Sequence, residues 1–345
     1  MYEFFQSILV AINNVIHQWG WSVVVFTLLI RCIILPFDYK SRVSMRKTQK
    51  IQPELNKLQK KYANDKDKLN LKMSELYKKE HINPLSSCLP MLLSMPILFC
   101  MFGAMRLVAN EQILIQVKTM LEGGDVTATM QSWLWVKNIM MPDSPFASVM
   151  PSLSMIQQVT DPKTWSKIFT PEVLTSLAQT LPDLNLTAES FANSSAIQTT
   201  AQSIYSYLQT TSYYANSGAL QGWTINLWIT TISVMKDWNG LFILPLLSAG
   251  SQFLMTKLTP TAPVETDAQG NKIQNGNNPA GTGAFMTWFF PLFSLWICSS
   301  YNGMFALYLV ASNLIAMVET VGINKYLDAK EKKQKLADEA VGSVR

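Results

Sequence analysis

Charge is scarce in this chain of 345 residues: 15% of it is Asp, Glu, Lys or Arg, against 48% apolar, whereas an ordinary soluble domain carries about 25% charge. That shortage argues against a cytosolic enzyme. Histidine is rarer still, with only His17 and His81; once the chain is oriented they fall on opposite sides of a bilayer, so no hydrolase base can be assembled from them. His17 reads as an interfacial residue and His81 as the end of a hairpin. The four cysteines, Cys32, Cys88, Cys100 and Cys298, lie inside apolar runs at no metal-ligand spacing, which excludes a zinc cluster, a redox pair or a disulfide framework. Phosphate-cradling glycine loops are missing. So are the internal repeats and coupling acids of a secondary transporter. No Lys or Arg precedes Arg31, which removes the basic n-region of a secretory signal. Cofactor, metal, nucleotide and catalytic residues are therefore not expected, and the protein does not read as an enzyme.

What is present is long apolar runs. A hydrocarbon core of about 30 Å needs about 20 apolar helical residues. Runs of that order occupy 19–37, 86–109, 241–258, 284–301 and 303–323, the last two joined by a turn at Asn302. The fold class expected is all-α: an integral membrane protein with five transmembrane helices, a cytoplasmic helical hairpin and an enlarged extracellular loop region. Orientation follows from Lys and Arg near the span ends. Residues 38–85 hold thirteen of them against six acids, and residues 110–240 hold five against nine. The first segment is thus assigned to the cytoplasm and the second to the outside. Five spans then put the N-terminus outside and the tail 324–345, with its six basic residues, inside.

The remaining segments have readable patterns. In residues 1–18, Phe4, Phe5, Ile8, Ile12, Val15 and Ile16 recur at helical spacing, as in an amphipathic helix at the outer interface. Within 38–85, Ile51, Leu55, Leu58 and Tyr62 fall at i, i+4, i+7 and i+11, and Leu69, Met73 and Leu76 repeat the pattern after the turn-forming Ala63–Asp67. Two such helices bury their stripes against each other as an antiparallel hairpin. Pro53 suits the first turn of a new helix or a kink in one running on from the membrane. The basic residues fit ribosomal RNA, lipid head groups or plain solvent equally. Residues 259–283 read as a flexible cytoplasmic linker. The outer segment, with about 146–236 as an insertion, reads as short helices; its apolar stretch Trp223 to Met235 is too short to span.

One charged residue stands inside a span. Arg31 precedes Phe37 by six residues, about 9 Å of helical rise. A bare charge at that depth costs about 2.5–3.5 kcal/mol on insertion scales. Snorkelling to the head groups is one reading. The other is a wet intramembrane cavity, because the other spans offer no acid except Glu319, near a cytoplasmic end, while Thr27, Ser94, Gln252, Ser312 and Asn313 offer uncharged polar groups. The counter-ion would then arrive from outside the protein. Met91, Met95, Met101 and Met105 provide either core packing or an adaptable apolar edge.

Several motifs carry a resemblance. Gln52-Pro53-Glu54-Leu55, Leu76-Tyr77-Lys78-Lys79, Asn83-Pro84-Leu85, Cys88-Leu89-Pro90 and Met95-Pro96-Ile97 follow one another in order, preceded by Arg31 with Leu35-Pro36. Trp133-Leu134-Trp135-Val136 with Pro142-Asp143, Ile243-Leu244-Pro245, and Ala306-Leu307-Tyr308 with Ser312-Asn313 come after. This ordered set closely resembles the YidC/Oxa family of membrane-protein insertases. The resemblance implies a bundle around a hydrophilic groove open to cytosol and lipid, with Arg31 in it. It also implies a mobile hairpin that receives substrates, here through Leu55, Leu58, Tyr62, Met73 and Leu76. Thr27, Ser94, Gln252, Ser312 and Asn313 complete the expected groove. The function implied is transfer of short polar tails and transmembrane helices of newly made proteins from cytosol to bilayer in a bacterial cell membrane. A secondary transporter and a chaperone acting only in membrane-protein folding and assembly are the alternatives. Implied partners are nascent membrane proteins and membrane lipids, with the ribosome, the signal recognition particle receptor and the Sec translocon as candidates. The outer insertion of about ninety residues and the modest basic tail depart from the usual pattern, the latter weakening the case for ribosome binding through the tail.

Overall fold

A computed structural model describes residues 2–62, 65–81, 89–215, 223–227, 230–258 and 280–342. Helices dominate: α1 Tyr2–Ile16, α2 Trp19–Lys61, α3 Lys66–Lys79, α4 Leu89–Leu121, α5 Leu153–Gln157, α6 Pro162–Ile168, α7 Pro171–Thr180, α8 Ser194–Thr210, α9 Ser212–Ala215, α10 Ile243–Leu258, α11 Ala280–Ser300 and α12 Gly303–Gly342. Among the described residues, three helical stretches are long and apolar enough to cross a membrane: Trp19–Thr48, Met95–Leu121 and Gly303–Gln334. The protein is thus a helical membrane protein. The linker expected at 259–283 lies outside the described residues except for its last four positions, which open α11.

The all-α fold class holds, and only the expectation of short helices in 146–236 needs a correction. Trp223–Leu227 and Thr230–Val234 form a two-stranded antiparallel ribbon, β1 and β2, with Trp223 opposite Val234 and Leu227 opposite Thr230. The composition explains it, because Thr, Ile, Val and Trp lose less in an extended chain than in a helix. Helix α2 also runs unbroken through Pro36 and Pro53. Neither proline can donate to the carbonyl four residues earlier, so each costs a hydrogen bond and invites a bend without ending the helix.

The chain divides into two compact units. The first comprises Met1–Phe26, Cys100–Gly250 and Leu292–Val310. In it, α1 stops at His17, whose left-handed φ of 57° turns the chain into α2. The loop after α4 meets the start of α2: the Trp19 amide donates to Gln131 Oε1 at 2.9 Å, and the Gln18 side chain donates through Nε2 to the Ser132 carbonyl at 3.1 Å. The Trp133 ring lies where any side chain at position 20 would stand, so Gly20 is required there. Met101 and Met105 are fully buried on α4 and pack the core, whereas Met95 is exposed.

The segment 146–236 expected as an insertion has its own small core. On α8, Ile197, Ala201, Ile204 and Leu208 fall at i, i+4, i+7 and i+11 and are all buried. Trp165 stacks on Phe169 and Phe191, with ring centroids 5.4 and 4.8 Å away, while its Nε1 donates to the Val159 carbonyl at 2.6 Å. Ser152, Asp161 and Asn193 cap α5, α6 and α8 through their side chains. Burial raises the Tyr214 phenol far above its ordinary pKa, and its hydroxyl donates to the Pro151 carbonyl at 2.6 Å.

The second unit comprises Thr27–Phe99, Ser251–Pro291 and Ala311–Arg345. Here Ile51, Leu55 and Leu76 form a buried cluster with Leu58, Met73 and Tyr77 packed against it. That contact holds α3 against the C-terminal part of α2, at the spacing the two stripes require. Asp65 caps α3 by accepting from Lys68 N at 3.0 Å; this bond, with the Lys68 ammonium, holds its carboxyl below the ordinary 3.8.

Candidate functional site

The site grows from two helical faces of the second unit. On α2, Arg31, Asp38, Arg42 and Arg46 follow at intervals of seven, four and four residues, which places them along one side of the helix. On α12, Glu319 lies two turns beyond Ser312 on the same side, with Thr320 next to it. The faces meet as a ladder of polar contacts. Arg31 donates to Ser312 Oγ through Nη2 at 2.6 Å and Nε at 3.2 Å. Arg42 Nη2 donates to Thr320 Oγ1 at 2.5 Å, and the Thr320 hydroxyl in turn donates to the Ala316 carbonyl. Farther along, Arg46 donates to the Asn324 carbonyl at 2.9 Å and pairs with Asp328 at 2.7 Å, while Lys50 pairs with Glu331 at 3.2 Å. A cavity of about 430 Å³ opens among Arg42, Arg46, Lys50, Asp328 and Glu331.

Arg31 does have carboxylates nearby, contrary to the expectation from the spans alone. Its Nη1 lies 3.9 Å from Asp38 Oδ2 and 3.8 Å from Glu319 Oε2. The physical reason is the direction of side chains: they lean toward a helix's N-terminus, so carboxylates two turns further on tilt back toward the guanidinium as it reaches toward them. Asp38 sits just past the first apolar run and Glu319 near the end of the last, so counting acids inside spans discounted both. Both separations are ion-pair distances beyond hydrogen-bond length. The guanidinium's hydrogen bonds go to a serine hydroxyl instead. Arg31 keeps 21% of its side chain exposed, with Asp38 at 13% and Glu319 at 12%, so the trio is shielded without being sealed.

The other expected groove residues are distributed unevenly. Ser312 meets Arg31, and Asn313 Nδ2 donates to Ser251 Oγ at 3.0 Å, which ties α12 to α10 one residue away from the Arg31 contact. Thr27 is buried on α2, one turn before Arg31, and Gln252 is half-buried on α10. The side chain of Ser94 lies outside the described residues. Among the hairpin residues, Leu55 and Leu76 are buried in the hairpin's own core, with Leu58 and Met73 packed on them, and Tyr62 is half-buried at the end of the arm beneath Lys61. The residues missed were Asp38, Arg42 and Thr320; the seven- and eleven-residue intervals from Arg31 to Asp38 and Arg42 were the available signal.

A second organised centre lies in the first unit, at the start of α10. Asp143 is fully buried. Its Oδ2 accepts from Leu244 N at 2.6 Å and from Trp135 Nε1 at 3.0 Å, and its Oδ1 accepts from Phe242 N at 3.2 Å. A carboxylate here satisfies the orphan amides of α10 and complements its dipole. Asn239 reinforces the loop: its Nδ2 donates to the carbonyls of Asn138 and Pro142, and its Oδ1 accepts from Asn138 N. Gly240 lies so close to Asp143 that a Cβ there would collide with the carboxylate.

Comparison with known proteins decides the family. The model for the 60Kd inner membrane protein matches residues 11–192 and 196–332. The chain belongs to that family. Within the 60Kd inner membrane protein family, curated relatives named membrane protein insertase YidC include that of Fusobacterium nucleatum subsp. nucleatum, 43% identical over 104 residues, or 30% of this chain and 51% of the relative. The Campylobacter jejuni protein is 35% identical over 155 residues, 44% of this chain and 27% of its own length. That of Wolinella succinogenes is 47% identical over 85 residues, 25% of this chain and 16% of its own length. The matched parts thus span about half, or less, of the relatives' own length. The YidC/Oxa reading of the motifs agrees with this membership.

Proposed function

We propose that the protein is a membrane insertase of bacterial cell membranes, which moves short polar tails and apolar helices of newly made proteins from the cytosol into lipid. The observation that carries the reading is Arg31, hydrogen-bonded to Ser312 in an apolar helix, with Asp38 and Glu319 at ion-pair distance but beyond hydrogen-bond length. Family membership and the relatives' name, membrane protein insertase YidC, support it. Five spans, 19–37, 86–109, 241–258, 284–301 and 303–323, with the N-terminus outside, surround a hydrophilic groove lined by Arg31, Thr27, Ser94, Gln252, Ser312 and Asn313.

The physics is a matter of shortening a barrier. A charged or hydrogen-bonding group crossing hydrocarbon loses its water, and the loss scales with the dry distance. A polar recess partway through the bilayer reduces that distance. Because Arg31 makes its short hydrogen bonds to a neutral hydroxyl, an acid on an entering tail exchanges with Asp38 and Glu319 rather than having to break a tight pair. The client's apolar helix then partitions into lipid, gaining about 0.8 kcal/mol per buried CH₂. No nucleotide takes part. The basic hairpin of residues 38–85 is the receiving element, holding its shape through Leu55 and Leu76 and offering clients its exposed outer faces. Membrane lipids and nascent chains are the partners; the ribosome, the signal recognition particle receptor and the Sec translocon supply or share them.

A photocrosslinker placed at Gln252 or Asn313 tests this with stalled nascent chains of a single-span client. Crosslinks to the polar tail and the adjoining apolar segment are expected. Crosslinks no stronger than those from the exposed Leu254 would refute the groove.

A further inference from the structure

The outer insertion carries a second recess, far in sequence from the Arg31 ladder. Helices α6 and α7 and the 3₁₀ turn Ala188–Phe191 surround an open trough of about 610 Å³. That size falls within the ~300–1,000 Å³ usual for ligand sites. Its floor is rigid. Phe169 and Phe191, both buried, face each other with centroids 5.3 Å apart, and both stack on Trp165. Asp161 and the two helix-starting prolines, Pro162 and Pro171, fix the walls before any ligand arrives.

The rim says what fits. Ala178, Ala188 and Ala192 are small and exposed, so a backbone can approach closely. The hydroxyls of Ser166 and Thr175 donate to carbonyls of their own helices, at Lys163 and Pro171, which leaves their oxygen lone pairs as acceptors for incoming N–H groups. An acyl chain has no use for such acceptors; a polypeptide does. Among the described residues lining the trough, Lys163 alone is charged, so an acidic group at one end of the ligand is complemented and a basic one opposed. Helix α6 is pinned next to α4 by Lys167, which pairs with Glu111 at 2.9 Å, and Gln6 of α1 donates to the same carboxylate at 3.0 Å.

We propose that this trough binds short, extended apolar segments of polypeptide bearing an acidic residue at one end. The inference rests on the insertase reading for the source of those segments, the outer tails of clients. Side chains of every second residue would settle on the aromatic floor, and Lys163 would set the direction.

The test uses the full-length protein in lipid nanodiscs, with empty nanodiscs as the blank. A fluorescein-labelled octapeptide of alternating leucine and serine ending in aspartate is titrated by anisotropy, beside one ending in asparagine amide. Saturable binding is expected, weakened at least tenfold by Ala178→Trp, which fills the trough. Lys163→Glu should weaken the aspartate peptide three- to tenfold and leave the asparagine peptide unchanged. If Ala178→Trp lowers the thermal midpoint, Ala192→Leu serves as the filling variant. Absence of saturable binding, indifference to the filling variant, or displacement by oleate at lower concentrations than by unlabelled peptide would overturn the proposal, the last assigning the trough to acyl chains. No saturable peptide binding to the unmodified protein, with insertion of a single-span client still dependent on Arg31, would sink the trough and spare the insertase reading; saturable binding in a protein that inserts nothing would do the reverse.

Discussion

Asp143 offers the sharpest structural prediction. Its carboxylate is fully buried and accepts three hydrogen bonds, two on Oδ2 and one on Oδ1, from donors that have lost water. A hydrogen bond to a charged group contributes about 1.5–3 kcal/mol, and leaving a buried donor unpaired costs at least as much. Asp143→Asn can keep its amide oxygen toward Trp135 and Leu244 but must turn its NH₂ toward Phe242 N, a donor facing a donor, for an expected loss of about 2–3 kcal/mol. Asp143→Ala abandons all three donors and leaves a void, so about 4 kcal/mol or more is expected once non-additivity is allowed for. The assay is thermal unfolding in detergent, read by tryptophan fluorescence, with limited proteolysis of the loop 131–149 as a local readout. The order wild type, then Asn, then Ala is required. Equal midpoints for all three, or an Asn variant as damaged as Ala, would refute the view that this carboxylate anchors the start of α10 to the loop 131–149.

Other outcomes follow from the same structure. Leu55→Ala empties part of the hairpin core and should cost about 2–5 kcal/mol locally, seen as faster tryptic cutting at Lys57 and Lys61, whereas the exposed Leu71→Ala should leave cutting unchanged. Gly20→Ala forces a methyl into the Trp133 ring and should destabilise by about 1–3 kcal/mol in the same thermal assay. Asp65 caps α3 with its carboxyl held below the ordinary 3.8, so the capping stabilisation is present above that value and disappears as pH falls through the lower folded pKa; the Lys68 amide resonance should titrate there and stop doing so in Asp65→Asn. Glu319→Gln removes a resident competitor for Arg31 and should raise crosslinking of acidic client tails two- to fivefold; a fall would mean that Glu319 holds Arg31 in place rather than competing for it.

Much of the architecture was legible because hydrocarbon and packing impose simple periods. The hairpin stripes Ile51–Tyr62 and Leu69–Leu76 announce themselves at 3.6 residues per turn, and the structure joins them in one cluster. The limits were equally physical. Asp38 reads as the end of a span because charge leaves the bilayer there, yet a helix does not stop where lipid does, and α2 continues to Lys61. The ribbon at 223–234 was read by hydrophobic length alone; its β-branched residues carried the better signal. At the site, Arg31, Ser312 and Asn313 were accessible from their place in apolar runs, whereas Asp38, Arg42 and Thr320 become neighbours only when α2 and α12 are packed face to face. Counting acids along a span measures depth, and side chains of this length reach across two helical turns.

Arg31 itself remains the deciding residue. Purified protein reconstituted in liposomes, given a single-span client with an acidic N-terminal tail, measures insertion as protection of that tail from external protease. The account predicts loss of protection with Arg31→Ala and a smaller loss when the client's acids are neutralised. Full insertion by Arg31→Ala would contradict it.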